Sequence, residues 1–398
     1  METAGGDARR LPESALTTGL EHFASQKLEA IAAKGLERRL APTARDAGLI
    51  AWRGGKRLLS FSCNDYLGLS QHKDVIAAAI DATRKYGAGA GASRFVTGNH
   101  PLYEALEAEL ARFKGAEAAI VFGSGYLANI GIIPALVGPG DLILGDELMH
   151  ACLHAGAKLS GAKLELFPHN DAMDVEARLR SRRRRYRHVL ILTEGVFSMD
   201  GDRAPVTELS GIANQHDAWL MVDDAHAFGV LNQGRGSAAG EVVPLAMGTL
   251  SKAVGSYGGY LCTSRTVAQL IRHRSRSLIY STGLPPCVLA AARTALSIIV
   301  NDPALTFRPL HLARRFTQAL GLKPAESAVV PLILGAPSRA LEASSALADK
   351  GFLVVAIRPP TVPEGTSRLR FSFSAAHREE DVERLIEAVI GLGLPRQT

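Results

Sequence analysis

Between residues 100 and 265 the chain alternates short apolar runs with stretches of helical period, and this alternation constrains its fold more than any other feature. Leu102 to Phe113 has helical spacing. Ala118 to Phe122 is a brief apolar run, followed by Gly123-Ser124-Gly125-Tyr126 and a helical stretch to Leu136. Similar runs recur at Leu142–Leu144, Leu164–Phe167, Val189–Thr193, Leu220–Val222, Leu245–Met247 and Tyr260–Thr263. Helices are predicted over Met149–Leu159 and Asp174–Arg180. Short strands that are apolar on both faces, separated by helices, predict an α/β fold with a mostly parallel central sheet and helices on both faces.

The flanks read differently. Ser14 to Leu40 has helical periodicity. Leu49–Trp52 and Arg57–Ser62 predict two strands joined by the turn Arg53-Gly54-Gly55-Lys56, and Val75–Tyr86 a helix. Arg265–Leu278 and Cys287–Val300 are helical, the second a connector. Beyond it, strands at Val329–Leu334, Leu353–Ile357 and Arg368–Phe373, with helices near 338–350 and 378–391, form a smaller α+β unit. The expected division is therefore an N-terminal helix and strand segment over 1–62, a large domain over 63–285, and a connector with the small unit over 286–398. Met1 to Pro12 reads as a short frayed tail; no apolar segment follows it, so it is not a secretory signal.

Composition excludes several classes. With 47% hydrophobic and 21% charged residues the chain fits a soluble globular protein with a sizeable core. No apolar run reaches the roughly 18–20 residues of a membrane span. Cys63, Cys152, Cys262 and Cys287 lie far apart with no C-x-x-C pair, which argues against a disulfide framework or zinc and leaves a reducing cytoplasm as the default. A net charge of +6 suits anionic ligands such as phosphates, carboxylates or a CoA thioester. The basic run Arg182 to Arg187 lacks aromatic interleaving and reads as a solvated helix end, not a nucleic-acid patch.

Several stretches carry candidate chemistry. Lys252 stands alone in Gly248-Thr249-Leu250-Ser251-Lys252-Ala253-Val254-Gly255. A desolvated lysine has a lowered pKa and serves as nucleophile or base, although a structural lysine beside a glycine turn is the commoner case. Asp223-Asp224-Ala225-His226 follows an apolar strand, at the sheet edge where ligands bind; an ordinary charged loop is an equal alternative. Gly123 to Tyr126 could hold phosphate at a helix N-terminus, or form a plain turn. His150 and His154, four apart on a predicted helix, could face one ligand; Ala151 breaks the zincin motif, and a histidine stacked on a flat ring is the other reading. Ser198 is a small donor in a glycine-flanked loop, or a turn serine. Arg358 and Arg370 could each bind a carboxylate, though an arginine in an alternating strand usually marks its solvent face. Gly87 to Ala92 loosely matches a dinucleotide fingerprint, but a helix precedes it, so a flexible loop near a ligand is the better reading.

Taken in order, these stretches resemble the α-oxoamine synthases, a family of fold-type I pyridoxal phosphate enzymes that join an amino acid to an acyl thioester with loss of CO2. The resemblance runs from about residue 36 to the C-terminal helix. It rests on Asn64-Asp65-Tyr66-Leu67-Gly68-Leu69-Ser70, Glu194 to Gly201, Val222 to His226, Tyr280-Ser281-Thr282, and Ile357 to Pro363. It implies a transferase and a homodimer with pyridoxal phosphate at the subunit interface. Lys252 would carry the cofactor as a Schiff base and shuttle a proton. Asp223 would pair with the ring nitrogen, His150 stack on the ring, and His226 and Ser198 meet the phenolic oxygen. Gly125, Tyr126 and Thr249 would hold the phosphate, with Ser281 and Thr282 of a second subunit. Arg370 would bind the substrate carboxylate, while Asn64, Arg358, Thr361 and Arg38 contact substrate. No metal, nucleic acid or membrane is implied. Pro359-Pro360 after Arg358 is similar to the biotin-pathway branch, which implies L-alanine and a pimeloyl thioester, carried by CoA or a carrier protein, rather than glycine with acetyl-CoA or succinyl-CoA. Ala227-Phe228 departs from the Gly-Thr pair often found after the histidine.

Overall fold

The structure is a computed structural model that describes residues 19–33 and 35–394. The Met1–Pro12 tail and the first part of the predicted N-terminal helix lie outside the described residues. Seven strands form the central sheet, in the spatial order Ala118–Phe122, Gly259–Thr263, Leu245–Thr249, Trp219–Asp223, Val189–Glu194, Leu142–Asp146, Lys163–Phe167. Only Gly259–Thr263 runs against the others. Six of the strands are buried along their whole length or at all but the first residue, which is why they read as continuous apolar runs rather than alternating ones. Helices cover both faces. Ile132, Ile133 and Leu153 pack on one side with Leu190 and Met247; Val175, Leu179 and Leu209 pack on the other with Ile191 and Val222.

The boundaries moved at several places, each for a local reason. The N-terminal helix covers Gly19–Ala33 and stops well before Leu40; none of its residues is buried. Ala151–Ser160 begins two residues later than predicted because His150 is its N-cap. Two helices escaped the sequence reading. Val206–Gln215 lies between two strands of the sheet, and Pro303–Ala319 directly follows the connector Pro286–Asn301. The basic run is not simply solvated: Arg182 pairs with Glu165, Arg183 with Asp217 and Arg187 with Asp141.

The C-terminal part carries a three-stranded sheet ordered Val329–Gly335, Ser367–Ser372, Val355–Ile357. The N-terminal hairpin Ile50–Arg53 and Lys56–Ser60 joins this part of the molecule, since Lys56–Ser60 pairs in parallel with Phe352–Leu353. Among the described residues no single helix is long and apolar enough to cross a membrane.

One buried ion pair braces the sheet edge beside the candidate site. Lys114 Nζ lies 2.8 Å from Asp224 Oδ2, with both side chains almost fully buried. The lysine also donates to the Arg235 carbonyl at 2.5 Å, and Asp224 accepts from Ser237 N–H at 3.0 Å. Removing one partner of such a pair leaves an uncompensated buried charge, which costs about 3–5 kcal/mol. Lys114→Met is therefore expected to lower the unfolding free energy by about that amount, seen as a lower denaturant midpoint. A midpoint within experimental error of wild type would show that Asp224 does not need the lysine.

Candidate active site

Three neighbouring parallel strands end in polar residues at the same edge of the sheet: Glu194, Asp223 and Thr249. Glu194 is in register with Asp223, and Asp223 with Met247. The carboxyl edge of a parallel sheet is open because the chain there turns back toward the helices. Lys252 follows the third strand by three residues. It lines one cavity together with the start of the helix Gly125–Leu136, whose N-cap is Ser124. These elements enclose a cavity of about 230 Å³, lined by Ser124, Gly125, Tyr126, His150, Glu194, Asp223, His226, Thr249 and Lys252 among others. A second cavity of about 330 Å³ shares His150, His226 and Lys252 with it and adds Asn64, Ser198 and Arg370.

Lys252 Nζ lies 2.7 Å from His226 Nε2. His226 Nδ1 lies 2.5 Å from the Tyr66 hydroxyl. With the lysine donating to Nε2, the imidazole proton sits on Nδ1 and is donated to Tyr66, which in turn donates to Asn64 Oδ1 at 3.2 Å. Burial, then the nearby Lys252 charge, pushes the His226 pKa well below its usual value, so the ring is neutral and free to accept. Burial also lowers Lys252 to about 8, against the opposing pull of Asp223. Burial lowers His150 too, with Asp223 opposing.

Asp223 is held in one orientation. Asn129 Nδ2 donates to its Oδ2 at 2.8 Å and the Ala225 N–H to its Oδ1 at 3.0 Å. Asn129 is fully buried in the middle of an apolar helix, and that anomaly is a signal the sequence reading did not use. Arg370 is not on a solvent face: it is 6% exposed and reaches inward. Its Nε donates to the Ser198 carbonyl at 2.6 Å, and its Nη1 to Ser372 Oγ at 2.8 Å and Asn64 Oδ1 at 3.2 Å. The guanidinium thus fixes the Ser198 loop while part of it borders the second cavity.

His150 and His154 do not line the same cavity. His150 caps the helix, its Nδ1 accepting from Cys152 N–H at 3.2 Å, and lines both cavities. His154 lies one turn on and lines neither. Five other expected residues stand away from the cavities. Arg38 Nη2 donates to Thr361 Oγ1 at 3.3 Å, and Arg358 to the Gly35 and Glu37 carbonyls, all at the surface. Thr282 bridges to Ser93, and Ser281 precedes it. Ala227 and Phe228 are buried; Phe228 packs edge-on against Tyr260, so this departure from the family pattern serves the core. Tyr66, Asn129 and Glu194 were given no role by the sequence, yet each contacts or lines the site.

The residues fit pyridoxal phosphate. The helix start at Ser124-Gly125 presents main-chain N–H groups to an anion. A Cβ at Gly125 would sit 3.3 Å from Met247 Cε and 3.5 Å from Thr249, a snug fit that a small shift of the methionine would relieve. An oriented buried carboxylate and a lysine of lowered pKa face the same cavity, where one buried oxygen, Glu194 Oε1, is left without a partner.

Comparison with known proteins agrees with this chemistry. Residues 56–389 match the model of the family "aminotransferase class I and II". An 8-amino-7-oxononanoate synthase from Methylocella silvestris is 62% identical over 340 residues, covering 85% of this chain and 97% of the relative. One from Granulibacter bethesdensis is 58% identical, covering 93% and 97%. Among solved structures, a serine palmitoyltransferase from S. paucimobilis with bound PLP-myriocin aldimine superposes with a TM-score of 0.88 at 29% identity, covering 94% of this chain and 98% of that one.

Proposed function

Because the chain belongs to the aminotransferase class I and II family, among its 8-amino-7-oxononanoate synthases, we propose that it joins L-alanine to a pimeloyl thioester to give 8-amino-7-oxononanoate, CO2 and the free thiol. It is a pyridoxal-phosphate-dependent acyltransferase of the biotin pathway. The observation that carries the substrate reading is the meeting of Lys252, Asp223 and His226 in one cavity that shares His150, His226 and Lys252 with the cavity bordered by Arg370.

Pyridoxal phosphate supplies an electron sink that stabilises negative charge at the amino-acid α-carbon. Lys252 would hold the cofactor and, once displaced by alanine, take the proton from the α-carbon. Asp223 would keep the ring nitrogen protonated, an interaction its two donors pre-orient. His150 would lie on the ring face, and His226 with Ser198 would meet the phenolic oxygen. Gly125, Tyr126 and Thr249 would hold the phosphate, with Ser281 and Thr282 supplied by a second copy in a homodimer. Arg370 would bind the alanine carboxylate beside Asn64. Arg358, Thr361 and Arg38, clustered at the surface, would contact the acyl substrate. The Cα–C bond forms at the thioester carbonyl, the thiolate leaves, the carboxylate departs as CO2, and Lys252 returns the proton. A cytoplasmic site of action agrees with the metabolic substrates.

A mass assay checks this reading. Purified protein with L-alanine and pimeloyl-CoA is expected to yield 8-amino-7-oxononanoate at a rate at least about tenfold above glycine with acetyl-CoA or succinyl-CoA, since one mismatched substrate group is worth about 1–3 kcal/mol. Faster turnover with glycine and a shorter thioester would replace the proposed substrates.

A further inference from the structure

Glu194 has no role in the chemistry above, yet it closes the strand Val189–Glu194 inside the cavity and is 3% exposed. It stands opposite Asp223 on the adjacent parallel strand, so two buried carboxyl groups end at one level of the sheet. They are provided for unequally. Asp223 receives donors on both oxygens, from Asn129 and Ala225. Glu194 receives the Ser198 N–H on Oε2 at 3.2 Å, while its Oε1 is buried without a hydrogen-bond partner. The His150 main-chain N–H is near enough to favour the charged form slightly, but makes no well-formed hydrogen bond.

A buried carboxylate with one bare oxygen is costly, and two buried carboxylates side by side do not both ionise readily. The donors are concentrated on Asp223, so the arrangement distinguishes one anion from one acid. We propose that Glu194 is a positioning residue held as the uncharged acid: it leaves Asp223 as the single anion for the ring nitrogen, anchors the Ser198 main chain through Oε2, and turns its free oxygen to the bound group. The inference rests on the reading that this cavity holds pyridoxal phosphate. The titratable groups around Glu194 are Asp223, Lys252 and Cys152, with His150 and His226 lining the same cavity and Arg370 the adjoining one. Burial first, and then Asp223, push its pKa well above the usual carboxyl value; Lys252 opposes them without prevailing.

The test compares wild-type holoenzyme with Glu194→Gln, an uncharged near-isostere. The pH midpoint of the bound cofactor's visible band reports the charge beside Lys252. If Glu194 is already neutral, the substitution moves that midpoint by less than about 0.5 unit. If Glu194 were an anion, its loss would disfavour the neighbouring cation and lower the midpoint by about 1 unit or more, which overturns the proposal. Infrared spectra of wild-type protein carrying 13C-labelled glutamate give a second measurement that needs no variant. A protonated-carboxyl stretch at neutral pH supports the proposal, and its absence refutes it. A wild-type protein that develops no visible band with pyridoxal phosphate would instead sink the functional reading, and the infrared result would still decide the state of Glu194.

Discussion

Lys252→Ala is expected to abolish the visible absorbance of bound pyridoxal phosphate and to reduce turnover by at least about 10³–10⁴-fold, the upper range for a positioned acid–base group. Among the described residues Lys252 is the only lysine lining either cavity, so no neighbouring amine there can substitute for it. Its environment explains how an amine becomes available near neutral pH. Burial penalises the ammonium and brings the pKa to about 8, although Asp223 holds it from falling further. Below that value the group is mainly ammonium, donating to His226. The fraction of free amine then rises about tenfold per pH unit until the pKa is reached and flattens beyond it. The rate at which apoprotein develops the cofactor band should follow the same curve. A loading rate independent of pH between 6 and 8, or a Lys252→Ala protein with normal turnover, would remove Lys252 from its assigned role.

Asp223→Asn has the second largest expected effect. The side chain keeps its shape and one acceptor oxygen, but the buried anion is gone. Loss of a preorganised electrostatic partner typically costs about 10²–10³-fold in kcat. A second consequence separates this from general damage. Asp223 raises the Lys252 pKa, so its removal should move the loading curve to lower pH. Asp223→Glu, which restores the charge at a different reach, should return the curve toward wild type even if turnover stays low. Normal kcat in Asp223→Asn with an unmoved curve would mean that the carboxylate does not face the ring nitrogen.

How much was legible in the sequence differed between elements for identifiable reasons. Six of the seven central strands were readable because strands buried on both faces leave uninterrupted apolar runs; the edge strand Lys163–Phe167 is mostly open to solvent. The helix Val206–Gln215 was missed because its amphipathic pattern is short and lies between two motif-rich loops. The N-terminal helix was overextended: Leu36 and Leu40 continued the period, but the chain there instead meets Arg358, which takes the Gly35 and Glu37 carbonyls. Asp223, His226 and Lys252 could be identified because each follows a strand end, where side chains reach a shared edge. Tyr66 could not be, since its hydroxyl meets His226 across 160 residues of chain.

The sequence by itself determined the sheet, the order of its strands along the chain, and the family whose lysine, aspartate and histidine it carries, because periodicity and local motifs are properties of neighbouring residues. Which donors surround each carboxyl group, which face Arg370 presents, and which residues meet Lys252 were decided only by the tertiary structure. Burial and the number of donors around a group depend on segments far apart in the chain, and these set its pKa and its reach.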